Sequence, residues 1–284
     1  QQPSALGGAS VDGAEFTITS LNDNPVIVGG VTYGKGDDVL TIVTRDGEPA
    51  RSGADALPYG DYLLRESKAP EGYLPTDETW RFSVRDDGVV VKPATTGEMI
   101  DNQVKRGDFE FVKIEDFSQE RMAGVPFLVT SATTGEAHVI VTDQNGYVST
   151  EAAWNAHTSS TNANDEAVSE TAGGYVVDES KLDGEAGVWF GLAEDGSTTR
   201  ADDELGALPY DTYTVQELPC SANEGHVLVS FDISITRNGT TVQGGTVTDD
   251  FDHRIDVLKV DAGTGDPLAG AALKLVRLGD GKVI

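Results

Sequence analysis

Apolar and polar residues alternate along this chain in short runs. Examples are Glu15-Phe16-Thr17-Ile18, Phe109-Glu110-Phe111-Val112-Lys113-Ile114 and Tyr213-Thr214-Val215-Gln216-Glu217. A period of two is the mark of strands with one buried face. Turn-forming clusters such as Arg85-Asp86-Asp87-Gly88 and Asp143-Gln144-Asn145-Gly146 separate the runs. Many short strands between such turns predict an all-β chain built of sandwiches, not helical domains.

The pattern repeats. Leu57-Pro58-Tyr59-Gly60-Asp61-Tyr62-Leu63-Leu64-Arg65-Glu66 returns as Leu208-Pro209-Tyr210-Asp211-Thr212-Tyr213-Thr214-Val215-Gln216-Glu217. Alternation places Tyr62, Leu64 and Glu66 on one face, and likewise Tyr213, Val215 and Glu217. An acid aligned with a core-facing Tyr and an aliphatic is costly unless it is protonated or partnered. Its recurrence points to repeated domains, each with a buried carboxyl that has a task. Upstream, Gly13-Ala14-Glu15-Phe16 matches Gly124-Val125-Pro126-Phe127, and Lys259-Val260-Asp261 with Leu268-Ala269-Gly270-Ala271 begins a third copy.

These residues resemble the SpaA/Cna-B-type family of Gram-positive surface and pilin proteins. Tyr62 to Glu66, continuing through Ala69-Pro70-Glu71-Gly72-Tyr73, closely resembles the family's E-box, and the run from Lys259 to Ala271 resembles its first strand. The resemblance covers most of the chain and is weakest over 1–12 and 150–206. It implies tandem immunoglobulin-like (Cna-B-type) β-sandwiches at 1–105 and 106–252, an insertion at about 150–206, and a truncated third domain at 253–284. It also implies an intramolecular isopeptide bond between a first-strand Lys and a last-strand Asn or Asp, promoted by the E-box Glu. Lys113 precedes Gly124 by eleven residues, as Lys259 precedes Gly270. Lys113 is then the donor, Glu217 the promoting acid and Asp249 the acceptor, with Asp250 the alternative if the register slips. In domain one the donor position falls on Gln2, a poor nucleophile. Asn102 is left as an acceptor position without a Lys, Glu66 is an idle equivalent acid, and no bond is expected. Lys259 is the donor of the truncated third domain.

The chemistry fits such residues. The amine must be neutral to attack, and burial disfavours the charged form of an amine. A neutral Glu can polarise the acceptor carbonyl and shuttle protons. With Asp as acceptor, water leaves; with Asn, ammonia.

Composition narrows the partners. A net charge of −28 disfavours nucleic acid and anionic membranes. No run of eighteen apolar residues spans a membrane. One cysteine, Cys220, forms no internal disulfide and reads as a small buried hydrophobe. His138, His157, His226 and His253 lack metal-ligand spacing, so neither metal nor cofactor is expected. Arg106-Gly107-Asp108 spells an integrin tripeptide, read as a chance match at the head of a strand. The chain lacks a Leu-Pro-x-Thr-Gly sorting signal and reads as an excerpt of a longer protein.

The expected function is a structural stalk or pilin-like segment of a cell-wall-anchored adhesin, extracellular, without turnover, partnered by neighbouring domains of the same protein. The alternative is a ligand-binding module in which the acidic insertion, with Trp154, Tyr175, Trp189 and Phe190, grips a host or glycan ligand.

Overall fold

The alternating runs emerge as sixteen strands among the described residues, joined by turns and three short 3-10 segments at Ala163–Ala167, Glu179–Lys181 and Ser221–Asn223. The computed structural model describes residues 7–86, 100–192, 201–249, 257–270, 272–274 and 276. Residues 1–250 form one compact unit and 251–284 a second. The chain is all-β.

In the first unit, β1 (Glu15–Ser20), β4 (Asp38–Val43), β5 (Gly60–Lys68) and β6 (Thr79–Val84) form an antiparallel sheet in the order β4-β1-β5-β6. A hairpin of β2 (Val26–Val28) and β3 (Val31–Tyr33) supplies Val26 and Val28, which bury against Ile18, Val39 and Tyr62.

Farther along, β7 (Arg106–Glu115) pairs with β10 (Tyr147–Ser149), β13 (Leu208–Pro209) and β16 (Thr241–Asp249). The facing sheet runs β15-β14-β8-β9, from Ser230–Ile235, Asp211–Glu217, Pro126–Ser131 and Ala137–Val141 respectively. Its central strand β14 alternates strictly: Asp211, Tyr213, Val215 and Glu217 are buried while Thr212, Thr214 and Gln216 are exposed. The inner faces meet around Phe109, Phe111, Phe127, Val129, Tyr213 and Val215.

The insertion closes over this sandwich instead of standing off it. It contributes a hairpin of β11 (Val168–Thr171) and β12 (Gly174–Val177), and it buries Trp189 and Phe190 in the main core. Arg106 fastens it. Its guanidinium lies 3.9 Å over the Trp189 ring and donates to the carbonyls of Phe190, Gly206 and Ala207. Arg106 and Gly107 are buried, so the integrin-like tripeptide is not a surface motif. Tyr175 packs beside Val139, Val141 and Leu218, whereas Trp154 is half exposed and edge-on to Tyr147.

In the second unit, Val260 bridges Pro267, Leu268 N–H donates to the Lys259 carbonyl, and the Lys259 side chain is exposed.

Candidate functional site

The site arises where three strands end. On β7, Phe109, Phe111 and Lys113 point inward, and the Lys113 side chain has no exposed area. Phe111 packs edge-on against Phe127 and Phe231 at 4.9 and 5.6 Å. Backbone bonds to the Gly146 carbonyl and from the Met122 N–H hold Lys113 in place.

Parallel to β7 runs β16, with Val247 opposite Lys113 and Asp249 opposite Glu115. A bulge sets this register. Between Gln243, opposite Glu110, and Thr246, opposite Val112, β16 carries one residue more than β7. Gly244 and Gly245 occupy that place, and Gly245 adopts φ 68°, a left-handed conformation open to glycine. A Cβ on Gly244 would sit 3.0 Å from both the Glu110 carbonyl oxygen and Phe111 Cβ. The extra residue reverses the alternation, so Val242 on one side and Val247 and Asp249 on the other all turn toward the core. Without it, the even-numbered residues would continue inward. Asp250, the alternative acceptor, lies outside the described residues, as does Gln2.

From the facing sheet comes Glu217, the last residue of β14, opposite Phe127 of β8. Lys113 Nζ contacts Asp249 Oδ1 directly and lies 3.2 Å from Glu217 Oε2, and none of the three side chains is exposed. Glu217 Oε1 accepts from Asn223 Nδ2 at 2.9 Å, and Oε2 accepts from the Val229 N–H at 3.2 Å. Burial, and then the hydrogen bond shared with the Asp249 carboxyl, push the Glu217 pKa up, against the opposing pull of Asn223 and Lys113. Among the described residues, Asp249 Oδ2 is buried without a hydrogen-bond partner. A protonated Glu217 is the acid that such an acceptor needs.

The same position in β5 is built differently. Glu66 is buried, and its Oε2 accepts from Thr76 N–H and Asn102 Nδ2, both at 2.8 Å. Asn102 also donates to the Leu74 carbonyl. Among the described residues, Glu66 Oε1 meets no hydrogen-bond partner. Lys35 and Lys68 are exposed and paired with Asp23 and Glu15.

The repeated Leu-Pro-Tyr also has a structural reason. Tyr62 and Tyr213 each donate their hydroxyl to the proline carbonyl four residues earlier, Pro58 and Pro209. This closes the strand entry and satisfies a buried phenol. Three features escaped sequence reasoning: Asn223, Arg106 as a clamp, and the Gly244-Gly245 bulge. The glycine pair inside a strand pattern was a readable sign of a bulge. Asn223 and Arg106 carried no such sign.

Residues 4–98 match the model of the SpaA prealbumin-like fold domain. This segment belongs to the SpaA family. No curated protein matches the chain. Among solved structures, the Bacillus anthracis TIE protein is 18% identical, with 84% of this chain and 31% of that one covered at a TM-score of 0.45. A streptococcal ancillary pilin is 18% identical over 82% and 57% of the two chains, TM-score 0.25. The shaft pilin SpaA of Lactobacillus rhamnosus GG is 13% identical over 86% and 90%, TM-score 0.26. The chain thus spans about a third of the first of these proteins and just over half of the second.

Proposed function

We propose that this chain is a stalk segment of a Gram-positive surface pilin or adhesin, cross-linked by an isopeptide bond between Lys113 and Asp249. In this reading it comprises sandwiches at 1–105 and 106–252 and the start of a third at 253–284. The one observation that carries the bond is the wholly buried contact of the Lys113 amine with the carboxyls of Asp249 and Glu217.

The reaction follows from that contact. The Lys113 ammonium passes a proton to the Asp249 carboxylate it touches, and the neutral amine so formed attacks Cγ of the Asp249 acid while Glu217 gives its proton to the carbonyl oxygen, drawing charge off the carbon. Glu217 then takes the proton that the new C–N bond displaces from nitrogen. It returns a proton to the departing hydroxyl, the C–O bond breaks, water leaves, and the new amide's oxygen gives Glu217 back the proton it first received. Glu217 ends protonated, as it began, so it acts once per molecule and nothing turns over. Two strands held in register replace a bimolecular encounter; such alignment is worth about 7–11 kcal/mol of barrier. The product also suits its surroundings. A buried Lys and Asp are expensive to keep charged, and an amide carries no charge.

Intact mass tests the reading. The wild-type chain should be lighter than its sequence by one water, and Glu217→Ala should restore the full mass. A wild-type chain at full sequence mass would reject the cross-link. The ligand-gripping alternative gains no support here, because Trp189 and Phe190 of the insertion are used in the core.

A further inference from the structure

Resting on that cross-linking reading, we infer that Asn223 is a positioning residue that fixes which oxygen of Glu217 carries the catalytic proton. Asn223 lies in the 3-10 turn just after β14 and is buried. Its amide is held at both ends. Oδ1 accepts from the Cys220 N–H at 2.8 Å, so the amide's orientation is set by a backbone donor. Nδ2 must then face inward, where it donates to Glu217 Oε1 and to the Leu218 carbonyl, both at 2.9 Å.

An NH2 group only donates. Glu217 Oε1, held by this 2.9 Å bond, therefore stays the carbonyl oxygen of the acid, and the proton belongs on Oε2, whose own N–H contact, from Val229, is longer at 3.2 Å. That is the oxygen 3.2 Å from Lys113 Nζ, on the side of the reacting pair. A Glu217 free to carry its proton on Oε1 would turn its donor away from Asp249. Asn223 thus removes an unproductive tautomer. Its hydrogen bond also favours the ionised carboxyl, so it opposes part of the upward pKa shift that burial imposes on Glu217.

The test compares wild type with Asn223→Asp and Asn223→Ala. Uncross-linked chain is diluted from denaturant into buffers of graded pH, and loss of one water is followed by quenched intact mass. Asn223→Asp keeps an acceptor for the Cys220 N–H, loses the inward donor and sets a second carboxyl beside Glu217, whereas Asn223→Ala removes the donor without adding charge. Circular dichroism reports whether each variant folds; if Asn223→Ala does not, Asn223→Asp carries the test. We expect cross-linking at neutral pH to slow at least tenfold in Asn223→Asp. In Asn223→Ala we also expect the alkaline fall in rate, where Glu217 ionises, to move to higher pH. Wild-type rates in the folded variants would overturn the inference. So would slowing without any movement of the alkaline limb, which would leave Asn223 a purely structural role. Failure of the parent reading looks different: wild type itself would lose no water at any pH.

Discussion

Glu217 and Glu66 occupy the same place in two copies of one strand pattern, yet their neighbours give them different work. Glu217 faces an amine and a second carboxyl, all with no exposed area. Glu66 faces Asn102 and the Thr76 N–H, and the ordinary hydrogen bonds of a carboxylate satisfy its Oε2. What separates them is the presence of a nucleophile, which only Lys113 supplies among these contacts. The acceptor carbon in the proposed bond keeps none of the atoms that distinguish Asp from Asn. Asp249→Asn should therefore yield, by loss of ammonia, a product identical in mass to the cross-linked wild type. High-resolution intact mass, with sequencing of the linked peptide pair, checks this. An Asp249→Asn chain that stays at full mass would show that the acceptor must be an acid.

At the level of elements, the strand alternation that puts Lys113 and Glu217 inward was legible because period two leaves no choice of face once Phe109, Phe111 and Tyr213 are placed. The acceptor was legible only as a pair, Asp249 or Asp250, because parity counted along β16 depends on a bulge that hydrophobic pattern does not count. The insertion's packing was equally hidden. It depends on Arg106 reaching three carbonyls more than eighty residues away in sequence. The bulge makes an unusual prediction. Gly245→Val forces a β-branched residue into φ 68° and should cost roughly 1–3 kcal/mol of strain. It should leave cross-linking incomplete. Deleting Gly245 removes the extra residue yet keeps Asp249 opposite Glu115, so it should preserve the loss of one water. Intact masses of the two variants decide the matter; equal loss of cross-linking in both would mean that the bulge does more than set register.

Across the whole molecule, stability should be uneven. Among the described residues, the sandwich of the proposed cross-link buries seventeen apolar residues in one cluster, whereas the sheet of β1, β4, β5 and β6 gathers five. The two regions touch: Gly8 N–H donates to the Tyr210 carbonyl, and Tyr210 donates its hydroxyl to Glu71. Each such bond is worth about 0.5–1.5 kcal/mol net. Closing a loop of 136 residues with a covalent bond, by analogy with a disulfide, stabilises by about 5 kcal/mol against the open unfolded chain. That covalent stabilisation acts wholly within 113–249 and outweighs any one of the bonds between the regions, so coupling should not equalise the two melting points. On heating in the presence of protease, peptides from 7–86 should appear first. Residues 106–249 should resist, and peptides containing Lys113 and Asp249 should stay joined after digestion. Glu217→Ala should narrow the gap by lowering the second transition while leaving the first in place. If both regions are cut together at a single temperature in the wild type, coupling exceeds the cross-link and the proposed division of stability is wrong.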